Sequence, residues 1–354
     1  DFYGWDVRTS VHGLHNYPAT MVYPITRTIL ETHRRFENNL QTFFDPYMGS
    51  GTGLVEAYIA DFREVYGTDL NPLARLMSKV KTTPLNPNEL SAEITSLLAN
   101  IEYNLNELVL IISNFDYYVN EELGLDITAK DGWAKDAQEI TKEYLRKHNI
   151  DMDFPEVSNL GYWFKPTAML ELQIIKNCIK QVENRDIKNF FWLTFSETVR
   201  LCSNTRNGEF KMFRMTPQQV KQFNPNVYET FFNSLNKNEE KMKEFWEICS
   251  RKSVETEVKI FNNDTRFLED IPNNSIDILV TSPPYGDSQT TVAYGQYSRT
   301  SLEWLKDTFE EELTERDIRK IDKELLGGKV NKKEEYNFNL DSETLRTGLE
   351  EIRA

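Results

Sequence analysis

Cysteine and long apolar runs are both scarce in this sequence of 354 residues. Its three cysteines, Cys178, Cys202 and Cys249, are far apart and form no C-x-x-C pair, which argues against a disulfide framework and against a zinc site. No apolar run approaches the roughly 20 residues that a membrane-spanning helix needs. We therefore expect a cytoplasmic protein with no membrane association and no bound metal.

Positive charge is also in deficit, since 41 lysines and arginines face 56 aspartates and glutamates and the net charge is −15. A protein that binds nucleic acid normally presents a basic face, so this deficit argues against such a partner. The acidic residues cluster in 238–256 and 307–350, however, and the segments that carry the turn motifs described below are neutral or locally basic. The sequence therefore allows a basic cleft on an acidic body.

Two stretches of alternating strand and helix patterns flank a long helical stretch. The first predicts a helix over 19–36, a strand over 42–44, a helix over 54–60 and a strand over 64–67. Strand patterns return at 258–261 and 276–280, and 300–326 is predicted helical. Between them the periodicity is helical nearly throughout, at 88–114, 131–147, 167–183, 187–202 and 226–250. This order predicts a mixed α/β fold whose sheet is interrupted by a large helical insertion.

A glycine-rich turn, Asp45 to Thr52, directly follows the first strand and opens a helix. Its glycines allow the backbone to approach a ligand closely, and the helix amino terminus offers unpaired N–H groups. Asp69 follows Gly49 by 20 residues, at the end of the next strand, where a carboxylate can bind both hydroxyls of a ribose. The pair predicts a nucleoside cofactor, and the alternative is a tight turn with an acid that caps the next helix.

The second motif is Ser282-Pro283-Pro284-Tyr285, at the end of the strand predicted over 276–280. Consecutive prolines cannot continue a strand ladder, so their carbonyls are held rigidly at the carboxyl end of the strand, where α/β folds place substrates. A carbonyl beside the Ser282 hydroxyl can accept hydrogen bonds from an amino group, and the Tyr285 ring can stack on a planar base. A proline turn with a core tyrosine is the alternative.

With both motifs in place, the chain resembles the amino-methyltransferases of DNA from restriction-modification systems, and most of all their cytosine-N4 group. The resemblance covers Asp45 to Lys81, Lys259 to about Leu305 and, less specifically, His15 to Ala19. It implies a Rossmann-like methyltransferase sheet in a bacterial, archaeal or phage protein. The implied domains are 1–84 for the cofactor-binding half of the core, 85–255 for a helical insertion that recognises the target, 256–300 for the catalytic half and 301–354 for a helical or polar segment.

The resemblance further implies S-adenosylmethionine as the cofactor and S-adenosylhomocysteine as its product. Asp69 would hold the ribose, Asp264 would contact the adenine amino group, and the segment around Tyr17 would pack over the methionine end. The whole predicted set is Tyr17, Pro18, Asp45, Pro46, Tyr47, Gly49, Ser50, Gly51, Thr52, Asp69, Leu70, Asp264 and Thr265.

The first letter of the S-P-P-Y block bears on the target base. In enzymes that resemble this one, Asp or Asn at that place usually accompanies adenine amines, so Ser282 favours the N4 amine of cytosine in DNA. We expect Ser282, Pro283, Pro284 and Tyr285 to be catalytic, with Ser282 Oγ and the Pro283 carbonyl orienting the amine and Tyr285 and Tyr47 forming aromatic walls. The target base has to leave the duplex to reach them.

Two polar loops are candidates for DNA contacts. The loop 203–214 interleaves Arg206, Lys211 and Arg214 with amide and aromatic side chains, which could hold phosphates or read guanine edges. The loop after the S-P-P-Y block contributes Gln289 and Arg299. Solvated surface loops would have the same composition, and that alternative stays open for both.

The pattern departs from the family at its end, because such a sheet needs about three more strands after Ser282 and residues 300–354 do not predict them. We expect that the chain, which begins with Asp1 rather than Met, is trimmed, that a second chain completes the sheet, or that 328–354 hides strands. A cognate restriction endonuclease is a further expected partner. Rival functions are an adenine-N6 DNA methyltransferase, a transfer-RNA guanine-N2 methyltransferase and a non-catalytic nucleic-acid-binding subunit.

Overall fold

The computed structural model describes residues 5–283, apart from 19, 38, 132, 158, 207, 209 and 210, together with 294–325 and 347. Its first part alternates helix and strand, as the sequence predicts. The elements are α1 (Tyr23–Phe36), β1 (Thr42–Asp45), α2 (Thr52–Ile59), β2 (Glu64–Thr68) and α3 (Pro72–Lys81).

The predicted insertion is predominantly helical in the part that the structure describes, apart from connecting segments and one antiparallel bridge between Thr205 and Arg214. It consists of α4 (Pro87–Glu107), α5 (Val109–Tyr117), α6 (Trp133–Lys147), α7 (Leu160–Trp163), α8 (Pro166–Lys180), α9 (Arg185–Leu201), α10 (Pro217–Gln222) and α11 (Val227–Cys249). The chain then forms β3 (Glu257–Phe261), β4 (Ile278–Leu279), α12 (Tyr294–Leu305) and α13 (Glu315–Glu324).

Several helices begin where an asparagine side chain accepts hydrogen bonds from the first backbone N–H groups. Asn71 caps α3, Asn86 caps α4, Asn184 caps α9 and Asn226 caps α11. In α3 and α4 a proline follows the cap directly, and its fixed φ suits the first helical position. The local sequence therefore determines where these helices begin.

Two predicted elements are shorter or more broken in the structure than in the sequence pattern. The strand predicted over 276–280 pairs with its neighbour over Ile278–Leu279 alone. The helix predicted over 300–326 already begins at Tyr294 and ends at Leu305, and a new helix begins after Thr314. Thr314 and Asp317 form a reciprocal capping box, which starts α13 as a separate helix.

The four strands form one parallel sheet in the order β3-β2-β1-β4. The chain runs outward from β1 through β2 to β3 and then crosses back to place β4 on the other side of β1. The direction of winding reverses between β1 and β4, and in open parallel sheets ligands bind in the crevice at such a point, beyond the carboxyl ends of the strands. The predicted α/β fold is confirmed, and within the described ranges no strand follows β4.

The apolar core has two parts. Phe43, Leu54, Phe62 and Val65 belong to a cluster in which α1 and α2 pack on the sheet. The larger cluster runs without a break from α3 through the insertion to α12 and α13. The division into domains at residue 84 stays a prediction, since the insertion and the α/β part share this cluster. No helix of the described ranges is long and apolar enough to cross a membrane.

Candidate cofactor-binding and active site

A pocket lies where the carboxyl ends of β1, β2 and β4 meet. Its empty volume, including space open to solvent, is about 610 Å³. The predicted site residues that line it are Tyr17, Asp45, Tyr47, Gly49, Ser50, Thr52, Asp69 and Ser282. The structure therefore brings the glycine turn, the acid after β2 and the first residue of the S-P-P-Y block to one place.

The backbone of the glycine turn has a conformation that would be strained with residues other than glycine. Gly49 has φ of 49° and Gly51 has φ of 80°, both in the left-handed region. A Cβ on Gly51 would also lie 2.6 Å from Ser78 Oγ and 2.8 Å from Ser78 Cα. The turn can therefore lie close to α3 only with glycine at position 51.

The amino terminus of α2 faces this pocket with unused hydrogen-bonding capacity. No side chain caps the helix, and the hydroxyl of Thr52, its first residue, is buried with no hydrogen-bond partner among the described residues. An orphaned buried hydroxyl is costly unless a ligand satisfies it. The positive end of the helix dipole makes a carboxylate or another anionic group the fitting ligand.

Asp69 lines the same pocket with both of its carboxylate oxygens oriented. The Gly49 N–H donates to Asp69 Oδ2 at 3.0 Å, and the Asn71 N–H donates to Asp69 Oδ1 at 2.8 Å. Each carboxylate oxygen can accept a further hydrogen bond, so this acid can still bind a pair of vicinal hydroxyls. Burial raises the pKa of Asp69 to about 6, against the lowering effect of the two N–H donors and of Arg75.

Asp45 connects the glycine turn with the strand end that carries Ser282. Its carboxyl is 2% exposed, and its Oδ1 accepts hydrogen bonds from Thr281 Oγ1 at 2.7 Å and from the Tyr47 N–H at 3.1 Å. Burial raises the pKa of Asp45 to about 7, although both donors lower it, and the nearby charge of Asp69 raises it further. The contact with Thr281 fixes the residue directly before Ser282 against the side of the pocket formed by the glycine turn.

Of the S-P-P-Y block, Ser282 and Pro283 lie within the described residues, and both are exposed. Ser282 lines the pocket, and Pro283 does not. Pro284, Tyr285 and the predicted DNA contact Gln289 lie outside the described residues. The strand before them is held by the Val280 N–H, which donates to the Phe44 carbonyl at 3.2 Å.

The geometry agrees with a comparison with known proteins. The chain is 36% identical over 333 residues to the Type II methyltransferase M.MvaI of Kocuria varians, a match that covers 94% of this chain and 64% of that protein. This chain is a homologue of a Type II methyltransferase. The match confirms the predicted resemblance to DNA methyltransferases, and it does not distinguish the cytosine-N4 group from the adenine-N6 group. No family model and no solved structure matched the chain.

Some residues of the predicted cofactor set do not line this pocket. Asp264 pairs with Arg266, whose Nε lies 3.0 Å from Asp264 Oδ1 and 3.1 Å from Asp264 Oδ2. The Pro46 carbonyl accepts hydrogen bonds from Thr265 at 2.9 Å and Thr68 at 2.8 Å. Pro46 and Thr265 thus help to build the turn, and the adenine contact of Asp264 stays a prediction. Pro18, Gly51 and Leu70 also lie outside the lining.

The predicted DNA-contacting cations differ in their surroundings. Arg214 donates from Nε to the Tyr162 carbonyl and from Nη1 to the Thr128 carbonyl, both at 2.8 Å, and its guanidinium stacks over the Tyr162 ring. These contacts give Arg214 a structural role in the helical insertion. Arg206 and Lys211 instead border a groove with Gln296 of α12.

Lining residues that the sequence interpretation missed come from four segments. Met48 and Gly53 belong to the glycine turn or adjoin it, and Thr20 and Met21 follow the segment around Tyr17, so proximity to the motifs was a usable signal. Tyr294 begins α12, within the loop proposed to face DNA. Leu325 follows α13, and nothing in the sequence indicates its place, because tertiary packing alone brings it to the pocket.

Proposed function

We propose that this chain is an S-adenosylmethionine-dependent DNA methyltransferase that modifies the exocyclic N4 amine of cytosine at a specific sequence, within a restriction-modification or phage-defence system. The observation that carries the proposal is the shared pocket. An acid suited to binding a ribose, a helix amino terminus suited to binding an anionic group and Ser282 all meet there. The homology to a Type II methyltransferase supports it. The chain spans 64% of that relative's length, so activity and substrate are proposed for this chain rather than carried over.

The residues of the pocket fit the proposed cofactor. Asp69 would accept hydrogen bonds from the ribose hydroxyls, and Thr52 Oγ1 with the first N–H groups of α2 would bind the carboxylate of the methionine part. The buried carboxyl of Asp45 would add negative charge on the side where a cationic sulfonium is held. When bound, S-adenosylmethionine supplies an electrophilic methyl group.

Ser282 and Pro283 would orient the target amine. The Ser282 hydroxyl and the Pro283 carbonyl are neutral acceptors, and two hydrogen bonds from the amine would direct its remaining electron density into the pocket. The rigid proline carbonyl costs little entropy to position, which is the advantage of a preorganised site. Thr281 supports this placement, because its hydrogen bond to Asp45 fixes the chain one residue before Ser282.

DNA would approach on the side of α12. The loop 203–214 contacts the first turn of this helix, where Gln296 Oε1 accepts a hydrogen bond from the Met212 N–H at 3.4 Å. Arg206 and Lys211 therefore lie near the end of the segment that follows the S-P-P-Y block, and we propose that they bind phosphates. Arg299 does not line this groove and its Nε is buried, so its DNA contact stays a prediction from the sequence. The sequence adds three elements to this proposal: a target base flipped out of the duplex, a DNA contact by Gln289 and stacking of the base on Tyr285.

The experiment that tests the function incubates the protein with methyl-labelled S-adenosylmethionine and mixed-sequence unmethylated DNA, followed by digestion and mass spectrometry of the nucleosides. N4-methylcytosine is the expected product. N6-methyladenine would contradict the choice of base from Ser282. Methyl transfer to transfer RNA in a parallel incubation, with none to DNA, would contradict a DNA substrate.

Ser282→Ala is the matched variant, with Ser275→Ala as its control. Ser275 lies before β4, at the end of the strand away from the pocket, and its hydroxyl donates to the Pro272 carbonyl. We expect Ser282→Ala to lower kcat by about 100-fold or more, as the loss of an orienting group in the transition state does. The Ser275 variant should keep the parent rate.

A further inference from the structure

Asn71 occupies a central position among three segments that surround the pocket. Its side chain is completely buried, and its backbone N–H donates to Asp69. Its Oδ1 accepts the Leu73 N–H at 3.1 Å, and its Nδ2 donates to Tyr17 Oη at 3.0 Å and to Ser298 Oγ at 2.9 Å. One amide therefore contacts the start of α3, the amino-terminal segment and α12.

The hydrogen-bond inventory fixes the orientation of this amide. Ser298 Oγ donates its own hydrogen to the Tyr294 carbonyl at 2.9 Å, so toward Asn71 it must accept. An amide nitrogen has two hydrogens, and the contacts to Tyr17 and Ser298 use both. Burial raises the pKa of Tyr17 well above its ordinary value, so the phenol is neutral and keeps its own hydrogen for another acceptor.

The partners of Asn71 are themselves parts of the pocket wall. Tyr17 and Tyr294 both line the pocket, with ring centroids 5.7 Å apart. Tyr294 opens α12, which carries Ser298 in its second turn. The hydrogen bonds of Asn71 thus connect α12 to Asp69, in the same way that Thr281 connects the end of β4 to Asp45.

We propose that Asn71 is a positioning residue for the methyl-transfer reaction. Its amide sets Tyr17 and α12 at a fixed distance from the ribose-binding acid Asp69, so that the cofactor side and the DNA side of the pocket keep one geometry. The catalytic consequence rests on the proposed function, whereas the structural connection does not. The competing account is a simple helix cap, which needs only the acceptor Oδ1.

Asn71→Asp separates the two accounts. Aspartate caps a helix about as well as asparagine does, so a residue that serves only as a cap tolerates the change. Ionised aspartate cannot donate to Tyr17 or Ser298, and the protonated acid can donate to one of them alone, so a positioning residue does not tolerate the change. The matched control is Asn86→Asp, because Asn86 caps α4 before Pro87 in the same Asn-Pro arrangement. Among the described residues, its side chain accepts from the Asn88 and Glu89 N–H groups and donates to none.

The first measurement is hydrogen exchange of the α12 amides without cofactor. We expect Asn71→Asp and Ser298→Ala each to raise exchange across Tyr294–Leu305 by about tenfold, as the loss of roughly one buried hydrogen bond does. Asn86→Asp should leave α12 unchanged. Unchanged α12 exchange in Ser298→Ala, or equal effects of the Asn71 and Asn86 variants, would overturn the proposal. Ser298→Ala decides the question alone if Asn71→Asp does not fold.

The second measurement is the binding of S-adenosylhomocysteine by calorimetry. Asn71→Asp should weaken it by about tenfold, since Tyr17 loses its donor and a further carboxylate lies beside Asp69. Ser298→Ala should change the affinity by less than about twofold but lower kcat for DNA, which separates positioning from general loss of structure. If the unaltered protein bound no S-adenosylhomocysteine, the proposed function would be wrong, and the exchange data would still decide the role of Asn71.

Discussion

At the scale of single residues, Gly51 shows how the cofactor turn depends on the absence of a side chain. Gly51 and Gly124 both have left-handed backbones, with φ of 80° and 63°. A Cβ on Gly51 would collide with Ser78, whereas a Cβ on Gly124 would meet no atom of the described residues within 4 Å. Alanine would therefore strain the backbone at both positions, and at Gly51 it would also collide with a neighbouring residue.

We expect Gly124→Ala to lower the free energy of unfolding by about 1 kcal/mol and Gly51→Ala to lower it by about 2 to 4 kcal/mol, with loss of cofactor binding. Chemical denaturation of both variants and the parent measures the difference. Equal losses would mean that the approach of the turn to α3 is not tight in solution.

Asp45 makes stability depend on pH in an unusual direction. Its pKa rises from 3.8 to about 7 in the folded protein, so the folded state binds its proton more tightly than the unfolded state does. Its contribution is therefore favourable at low pH and is lost as the pH rises from about 4 to 7. Asparagine at this position has no charge to bury and still accepts from Thr281.

We expect Asp45→Asn to be more stable than the parent at pH 8, by on the order of 3 kcal/mol, and to lose this advantage toward pH 4. Thermal unfolding across that range is the measurement. An advantage that did not change with pH would show that the carboxyl is not a buried titrating group. The same variant should bind S-adenosylmethionine more weakly, because it lacks the negative charge.

At the scale of elements, the two-residue strand β4 depends on an acid at its start. Asp277 Oδ2 accepts the N–H groups of Gln41 at 2.7 Å and Thr42 at 2.9 Å, and the Asp277 N–H donates to Thr42 Oγ1 at 2.8 Å. These contacts set the register of β4 against β1. The pKa of Asp277 is lowered, and the hydrogen bond from the Gln41 N–H is the largest cause.

We expect Asp277→Ala to cost roughly 1 kcal/mol, to raise hydrogen exchange in β4 and to lower methyl transfer more than cofactor binding, since Ser282 follows this strand. Asp277→Asn should retain part of the register. Because the folded pKa is lowered, the stabilisation is present above the unfolded pKa and disappears as the pH falls through the folded value, opposite to Asp45. Parallel losses of transfer and cofactor affinity would contradict this assignment.

The helices and the longer strands were predictable because their signals are local. Asn71-Pro72 and Asn86-Pro87 mark helix starts with a cap and a proline, and the glycine turn ends β1. The extent of β4 was not predictable, since an apolar run over 276–280 does not show how many of its residues find a partner strand. The break between α12 and α13 likewise depends on Thr314 capping a new helix.

At the scale of the whole molecule, the net charge of −15 means that the proposed attraction to DNA would have to come from a small part of the surface. Arg206 and Lys211 beside α12 are the proposed part. Each phosphate contact contributes about −0.9 to the slope of log affinity against log salt concentration. The number of such contacts can therefore be counted by titration.

We expect replacement of Arg206 and Lys211 by alanine to reduce the magnitude of this slope by about 1 to 2, measured between about 50 and 300 mM salt. Lys142→Ala with Lys147→Ala is the matched control, because these two exposed lysines of α6 pair with Glu139 and Glu122. An equal reduction in the control would place the DNA elsewhere or show that it responds only to net charge.

The sequence by itself determined the chemistry of the site: a glycine turn, an acid after each of two strands and a serine before two prolines are local features that need no tertiary contact to be recognised. Tertiary structure alone decided which of them share a pocket and what supports them. It buried Asn71 between Tyr17 and Ser298, which are 281 positions apart (298 − 17). It also determined that the Arg214 guanidinium donates hydrogen bonds to backbone carbonyls of the insertion. Such outcomes depend on distances between residues in the folded protein, which residue type and spacing along the chain do not specify.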